Sequence, residues 1–162
     1  MSVTEHDRAP AVQHATLVFE RELPAPITAV FEAYADATLR ARWGAPSETA
    51  VIIYDAEDFR EGGMDRFRCG SRQDPNIHVV THYLEIIVNR RIVCSESITT
   101  SGRRLCAALT TVEFVPLAGR TRLKNTIQVA SFIGAAMIEG HKVGQAAALD
   151  NLVRYFEDQG AA

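Results

Sequence analysis

The chain has 162 residues, of which 47% are hydrophobic and 23% are charged, and these proportions are typical of one globular domain. They exclude a disordered or low-complexity chain, as does the presence of only 10 glycines and 6 prolines. Lys and Arg total 17 against 20 Asp and Glu, which gives a formal net charge of −3 and argues against a general nucleic-acid-binding protein.

The ends of the chain predict short tails around one domain. Residues 1–13 are polar and small, lack the apolar stretch of a signal peptide, and predict a flexible N-terminal tail; residues 160–162 predict a C-terminal tail. The domain then covers residues 14–159. No apolar run approaches the roughly 20 residues of a membrane span, so we expect a soluble, cytoplasmic protein without a membrane partner.

The first predicted elements are a strand and two short helices. Residues 14–23 alternate in the manner of a half-buried strand, which Pro24 and Pro26 end because neither can donate a ladder hydrogen bond. Apolar residues at helical spacing follow from Ile27 to Tyr34. Asp36 begins a second helix that reaches Trp43.

Six strands and a long helix complete the chain. Short alternating segments predict strands at residues 49–59, 64–69, 77–88, 92–99, 104–115 and 121–129, and the absence of helices between them indicates an antiparallel sheet. Residues 131–139 predict a loop. After Gly140, a period of three to four predicts an amphipathic helix that ends at Gln159. The order is β-α-α-β6-α, which indicates an α+β domain whose long helix covers one face of the sheet.

Four segments carry a resemblance to a known family. They are residues 21–43 (RELPAPITAVFEAYADATLRARW), 58–63 (DFREGG), 83–87 (YLEII) and the closing helix with Leu149, Asp150, Leu152 and Phe156. In this order they resemble the START-like, or SRPBCC, superfamily, and within it the branch named for the activator of the heat-shock-protein ATPase. The chain departs from the branch at His141, where a tryptophan is common, and at Arg42-Trp43-Gly44, which lacks a second aromatic residue.

The resemblance implies a helix-grip fold, in which a curved seven-stranded antiparallel sheet wraps around the C-terminal helix and leaves a cavity between them. It also implies three alternative functions. The chain could bind a small hydrophobic or mixed-polarity molecule in that cavity, with residues 131–139 at the entrance; it could be a polyketide-cyclase-type enzyme; or it could be a protein-interaction module that activates a chaperone ATPase. We expect the first of these, without a cofactor, and exposed sheet edges are compatible with a homodimer.

Strand alternation predicts which side chains line the cavity. Apolar neighbours set the inward phase of each strand, and this phase also carries four polar side chains: His82, Glu96, Thr110 and Asn125. A mostly apolar wall with a few polar groups is typical of a small-molecule site. The predicted ligand-binding residues are Trp43, Phe67, Cys69, His82, Leu84, Cys94, Glu96, Thr110, Val112 and Asn125.

Glu96 and His82 are the candidate catalytic residues, because a buried carboxyl group beside an imidazole could move a proton. The alternative is that Glu96 lies at an exposed strand end and His82 makes only a local hydrogen bond. We expect no metal site, since His78 and His82 lie four residues apart on a strand, about 13 Å, and cannot share one tetrahedral ion. Cys69, Cys94 and Cys106 have no CxxC spacing and predict three reduced thiols.

Overall fold

The computed structural model describes residues 9–160. Residues 1–8 of the predicted N-terminal tail and residues 161–162 of the predicted C-terminal tail lie outside the described residues. The elements follow the order β1 (Gln13–Leu23), α1 (Ile27–Ala35), α2 (Ala37–Gly44), β2 (Ala50–Ala56), β3 (Met64–Ser71), β4 (Ile77–Ile87), β5 (Arg91–Thr100), β6 (Arg103–Leu117), β7 (Arg120–Ser131) and α3 (Ala135–Gly160).

The seven strands form one antiparallel sheet in the order β1-β7-β6-β5-β4-β3-β2, so that β1 and β2 are its edges. This curved sheet and the long C-terminal helix confirm the predicted α+β helix-grip fold. We call the face that meets the helices the inner face and the opposite one the outer face. The alternation of β7 shows the division clearly, because Leu123, Ile127 and Val129 are buried while Lys124 and Gln128 are exposed.

The two short helices close one end of the sheet. Asp36 lies between them and caps α2, its side chain accepting hydrogen bonds from the backbone N–H groups of Thr38 and Leu39 at 2.7 and 3.2 Å. An aspartate at this position satisfies donors that a helix start leaves unpaired. The cap therefore fixes the angle at which α2 leaves α1.

The structure corrects the loop predicted for residues 131–139, since α3 begins at Ala135 and only residues 132–134 connect it to β7. Gly140 and Gly144 lie inside the helix, where a glycine costs about 1 kcal/mol relative to alanine. Met137 and Ile138, which precede these glycines, are partly buried and pack against the core. Gly160, predicted to follow the helix, is its last residue.

The predicted turn at residues 61–63 joins β2 to β3 through two glycines. Gly62 has a φ of +78°, which side chains rarely adopt, and a Cβ atom on Gly63 would lie 2.1 Å from the carbonyl oxygen of Asp58. The turn also bonds to β4, since Gly62 N donates to the carbonyl oxygen of Tyr83 at 2.8 Å.

None of the helices within residues 9–160 has the length and apolarity needed to cross a lipid bilayer.

Candidate functional site

Most of the predicted site residues lie on the inner face. Cys94, Thr110, Val112 and Asn125 are buried there, and Glu96 is partly buried. The register brings them together, because Cys94 pairs with Thr110 and Val112 pairs with Asn125 across neighbouring strands. On β3, Phe67 and Cys69 also face inward and are partly buried.

The predicted orientation of His82 and Leu84 is wrong. His82 is exposed on the outer face, and Leu84 is 55% exposed. A β-bulge between Tyr83 and Glu85 adds one residue to β4, so the strand changes phase at Leu84. Ile86, beyond the bulge, does face inward. Alternation carried backward from Ile86 across the bulge therefore assigns the wrong face of the sheet to the residues in the first half of β4.

The inner-face positions of β4 are Val79, Thr81 and Tyr83, all of them buried. Thr81 pairs with Glu96, whereas His82 pairs with Ser95 and points to the opposite side. The two predicted acid–base partners are thus separated by the sheet.

Trp43 is a core residue. Its indole N–H donates to the carbonyl oxygen of Ala33 at 3.0 Å, and its ring packs on that of Tyr34 with centroids 4.9 Å apart. Its backbone oxygen accepts from Asn151 of α3 at 3.3 Å. Trp43 thus joins α1, α2 and α3 and is buried among them.

A group of four interacting side chains lies near Trp43, and we call it the Arg40–Asp65 cluster: Arg40, Tyr54, Asp65 and Tyr83. Arg40 Nη2 donates to Asp65 Oδ2 at 2.9 Å, and the Tyr83 hydroxyl donates to the same oxygen at 2.5 Å. Arg40 Nε donates to the Tyr54 hydroxyl at 2.9 Å. The third guanidinium nitrogen, Nη1, donates to the carbonyl oxygen of Tyr34. The cluster ties α2 to β2, β3 and β4.

Glu96 lies near the centre of the inner face. Its Oε1 accepts a hydrogen bond from the Thr110 hydroxyl at 3.2 Å, while burial, the larger effect, raises the pKa of the carboxyl group above its usual range. Burial first, and the Glu96 carboxylate second, also raise the pKa of Cys69 and Cys94, and that of Cys106 to about 11. These are thiols rather than thiolates, and Glu96 lies among them.

The inner face is less completely covered on β3, β4 and β5 than on β6 and β7. Five of its side chains stay partly exposed although they face the helix side: Phe67, Cys69, Ile77, Glu96 and Ile98. We call these residues the open region. It lies at the end of the sheet where α3 begins, since Ser131 pairs with Cys106 and Cys106 pairs with Ile98. The helix itself packs against β1, β7 and α2.

The N-terminal half of α3 is correspondingly loose. The buried residues of the helix all lie in its second half, from Ala148 to Phe156. A Cβ atom placed on Gly140 or Gly144 would meet nothing within 4 Å among the described residues. The imidazole of His141, on the same turns, has a pKa lowered by burial and is therefore neutral at pH 7.

Three buried polar atoms find no hydrogen-bond partner within residues 9–160: the Tyr34 hydroxyl, Asn125 Oδ1 and His141 Nδ1. Tyr34 packs edge-on against Phe114 at 5.4 Å, and burial raises the pKa of its hydroxyl well above the usual range. Native proteins pair nearly all such atoms, so these three point to a group that the polypeptide itself does not supply.

Two surface pockets lie among the described residues, and of the open region only Glu96 lines one of them. One, of about 400 Å³, lies between the start of α1 and the end of α3 and is lined mainly by apolar atoms of Pro24, Pro26, Tyr155 and Phe156. The other, of about 380 Å³, is a shallow groove on the outer face beside His82 and Leu109. Across residues 9–160, no three His, Cys, Asp or Glu side chains are grouped so as to hold a metal ion.

Sequence reasoning missed Tyr34, Asp65 and Tyr83. Asp65 is two residues after the Gly-Gly turn and shares the phase of Phe67, which is predicted to face inward, so the alternation could have found it. Tyr34 was assigned to a helix face without a role for its hydroxyl group.

A family model described as "Activator of Hsp90 ATPase homolog 1-like protein" matches residues 24–157 of the chain. Two solved bacterial structures are similar over almost their whole length. A protein from Rhizobium leguminosarum is 33% identical, with a TM-score of 0.81, and the match covers 91% of this chain and 97% of that one. The Mll3558 protein from Rhizobium loti is 31% identical, with a TM-score of 0.79 and coverages of 90% and 99%.

A more distant structure shares the fold alone. DynU16, a protein in the dynemicin biosynthetic locus, is 17% identical, with a TM-score of 0.65. The match covers 88% of this chain and 47% of that protein, so this chain spans about half of its length. Among curated proteins, none matches the chain.

Proposed function

The chain belongs to the family of Activator of Hsp90 ATPase homolog 1-like proteins, and from this premise we propose that it binds a small apolar or mixed-polarity molecule on the inner face of its sheet, under the N-terminal half of α3. Proteins of this fold generally bind hydrophobic ligands. In this chain, the predicted residues Phe67, Cys69, Glu96, Thr110 and Asn125 would contact the molecule.

The observation that carries the proposal is the partial exposure of the open region. Apolar side chains on the helix side of such a sheet are normally buried by the helix, as Ile127 and Val129 are. Phe67, Cys69 and Ile98 keep part of their surface accessible instead. An apolar ligand placed there would remove this surface from water, which stabilises the complex by about 25 cal/mol per Å².

Entry to the site would involve the first turns of α3. No residue of α3 before Ala148 is fully buried, so this half of the helix has fewer buried contacts to lose than its second half. Segments with few buried contacts open most easily. A modest outward movement of these turns would extend the open region toward Cys94 and Tyr34.

The proposal is tested with N-phenyl-1-naphthylamine, a neutral apolar dye that fluoresces strongly in apolar surroundings. We expect saturable binding of one dye per chain. Ile98→Trp fills the open region and should weaken binding by about tenfold or more, a loss of about 1.4 kcal/mol. Leu109→Trp makes the same type of change on the outer face, where Leu109 is 38% exposed, and is the matched control.

Binding that is equally sensitive to both substitutions, or that is unchanged in Ile98→Trp, would place the dye elsewhere and contradict the proposal. The apolar pocket beside Tyr155 is the alternative location that such a result would indicate.

A further inference from the structure

Glu96 is the one charged side chain of the open region, and it is partly exposed there. It lies two residues from Ile98 on the same face of β5. Across the neighbouring strands it pairs with Thr81 of β4 and with Ala108 of β6. Side chains in such positions are direct neighbours on the sheet, and both of these are small. The space above the Glu96 carboxyl group is therefore not filled by a large side chain from either adjacent strand.

The two carboxyl oxygens of Glu96 differ in their surroundings. Oε1 accepts the hydrogen bond from Thr110 at 3.2 Å. Oε2 has no hydrogen-bond partner within residues 9–160, and it is not among the fully buried atoms that lack one. Oε2 therefore reaches the solvent-accessible part of the open region. A carboxylate can accept about four hydrogen bonds, so most of the capacity of this group is unused.

The charges around Glu96 leave its carboxylate without a counter-ion. Arg40 is the one buried basic side chain in residues 9–160, and its three guanidinium nitrogens already donate to a phenol, a carbonyl group and a carboxylate. Glu96 takes part in none of the ion pairs that the described residues form. An ionised Glu96 is thus an uncompensated negative charge beside apolar side chains. Such a charge is costly, and a positively charged partner offsets the cost.

The apolar side chains beside Glu96 indicate what else the partner must carry. Phe67, Val79 and Ile98 form one row across β3, β4 and β5, since each pairs with the next. Adjacent strands lie about 4.8 Å apart, so Phe67 and Ile98 are separated by roughly 10 Å. Both side chains are partly exposed, and Glu96 lies beside the Ile98 end of the row. A cation with an apolar body of about two fused rings would cover the row and reach the carboxylate.

We propose that the molecule bound in the open region is an apolar amine, whose protonated nitrogen donates to Glu96 Oε2 and whose apolar body lies along Phe67 and Ile98. This inference rests on the proposed function, because it concerns the same site, and it adds the chemical class of the ligand. A hydrogen bond between an ammonium and a carboxylate is roughly twice as strong as one between neutral groups. An amine is therefore preferred over an alcohol or a carboxylate of equal size.

Three probes of similar shape test the class by displacement of N-phenyl-1-naphthylamine at pH 7: 1-naphthylmethylamine, 1-naphthylmethanol and 1-naphthoate. We expect the amine to bind at least about tenfold more tightly than the alcohol. The carboxylate should bind most weakly, because Glu96 repels it. An alcohol or a carboxylate that binds as tightly as the amine would overturn the proposal.

Variants locate the preference. Glu96→Gln keeps the size of the side chain and an oxygen that can accept from Thr110, but it removes the charge. It should reduce the preference for the amine over the alcohol about tenfold and leave the affinity for the alcohol within about twofold. Glu113→Gln makes the same chemical change on the outer face, where Glu113 is also partly buried, and is the matched control.

A preference for the amine that persists in Glu96→Gln would refute the assignment of Glu96 as its partner. A preference that is lost to the same extent in Glu113→Gln would also refute it, because the effect would then come from the overall charge of the protein.

The two proposals fail in different ways. If the dye does not bind to the inner face, the proposed function fails and the ligand class fails with it. If the dye binds there but the amine has no advantage over the other probes, only the ligand class is overturned.

Discussion

The interior of this protein holds two groups of polar side chains that differ in how completely they are hydrogen-bonded. In the Arg40–Asp65 cluster, both carboxylate oxygens of Asp65 accept hydrogen bonds, from Arg40 and Tyr83 and from the backbone N–H of Asp58 at 2.8 Å. The Tyr34 hydroxyl and Asn125 Oδ1, two buried atoms that we call the Tyr34–Asn125 set, find no partner within residues 9–160.

The contrast shows which of the two groups has a structural role. A buried polar cluster whose members are all bonded fixes one arrangement of the elements that supply them, here α2 and strands β2 to β4. It has little capacity left for a ligand. The Tyr34 hydroxyl and Asn125 Oδ1 have no such partner in the described residues, and a buried polar atom without one costs about 1–3 kcal/mol.

Substitution of Asp65 by alanine tests the first half of this contrast and should have the largest effect. It leaves Arg40 buried without its counter-ion and removes the acceptor of the Tyr83 hydroxyl. Breaking a buried ion pair on one side costs about 3–5 kcal/mol. Urea unfolding of Asp65→Ala at pH 7 should show a loss of this size in the free energy of unfolding.

An exposed ion pair in the same region is the control. Arg68 and Asp55 form a pair whose side chains are 34% and 46% exposed, so Asp55→Ala should destabilise the protein far less than Asp65→Ala does. If Asp65→Ala were no more destabilising than Asp55→Ala, the cluster would not hold α2 on the sheet.

The same chemical change in each group gives the sharpest comparison. Tyr83→Phe removes a hydrogen bond to a carboxylate and should cost about 1.5–3 kcal/mol. Tyr34→Phe removes a buried hydroxyl without a partner in the described residues and should leave stability unchanged or raise it by up to about 1 kcal/mol. Thermal unfolding of the ligand-free variants measures both.

A larger loss of stability in Tyr34→Phe than in Tyr83→Phe would contradict the distinction between the two groups. A loss of about 1.5 kcal/mol or more in ligand-free Tyr34→Phe would mean that its hydroxyl group is already satisfied, for instance by an ordered water.

The fold could be predicted because each of its elements has a local signal. Alternation along β1 and β7 and the prolines after β1 mark strands and their ends, and these signals do not depend on distant residues. The start of α3 at Ala135 could not be found this way. Gly140 is a poor helix former, and the contacts that Met137 and Ile138 make with the core are not part of a local pattern.

The sheet face of each candidate site residue was predicted correctly on some strands and wrongly on β4, for a physical reason. Alternation assigns a face only while the register is continuous, and the bulge at Leu84 reverses it. His82 was therefore assigned to the wrong side. On strands without a bulge beside the site residue, alternation assigned the correct face, as it did for Asn125 on β7. Whether a polar atom has a partner depends on contacts between elements, which a sequence pattern does not contain.

The smallest expected effect concerns Glu96, which has features of both groups. It accepts one hydrogen bond, from Thr110, and makes no ion pair with the described residues. Burial raises its pKa above the ordinary value of 4.5, so folding favours the protonated form. The resulting stabilisation is present below pH 4.5 and is lost as the pH rises through the raised pKa. Glu96→Gln should therefore be more stable than the wild type at pH 7, by about 1 kcal/mol or about 2–4 °C in Tm.

The pH dependence of that difference tests the assignment of Glu96. Tm values of the wild type and Glu96→Gln, measured from pH 4 to pH 8, should converge at the acid end and separate as the pH rises. Glu20→Gln, which removes an exposed carboxylate on the outer face, is the control for the loss of one negative charge. Values that converge at pH 4 but separate at pH 8 with the wild type more stable than Glu96→Gln would mean that a partner stabilises the Glu96 carboxylate, which would then belong with Asp65 among the fully paired groups.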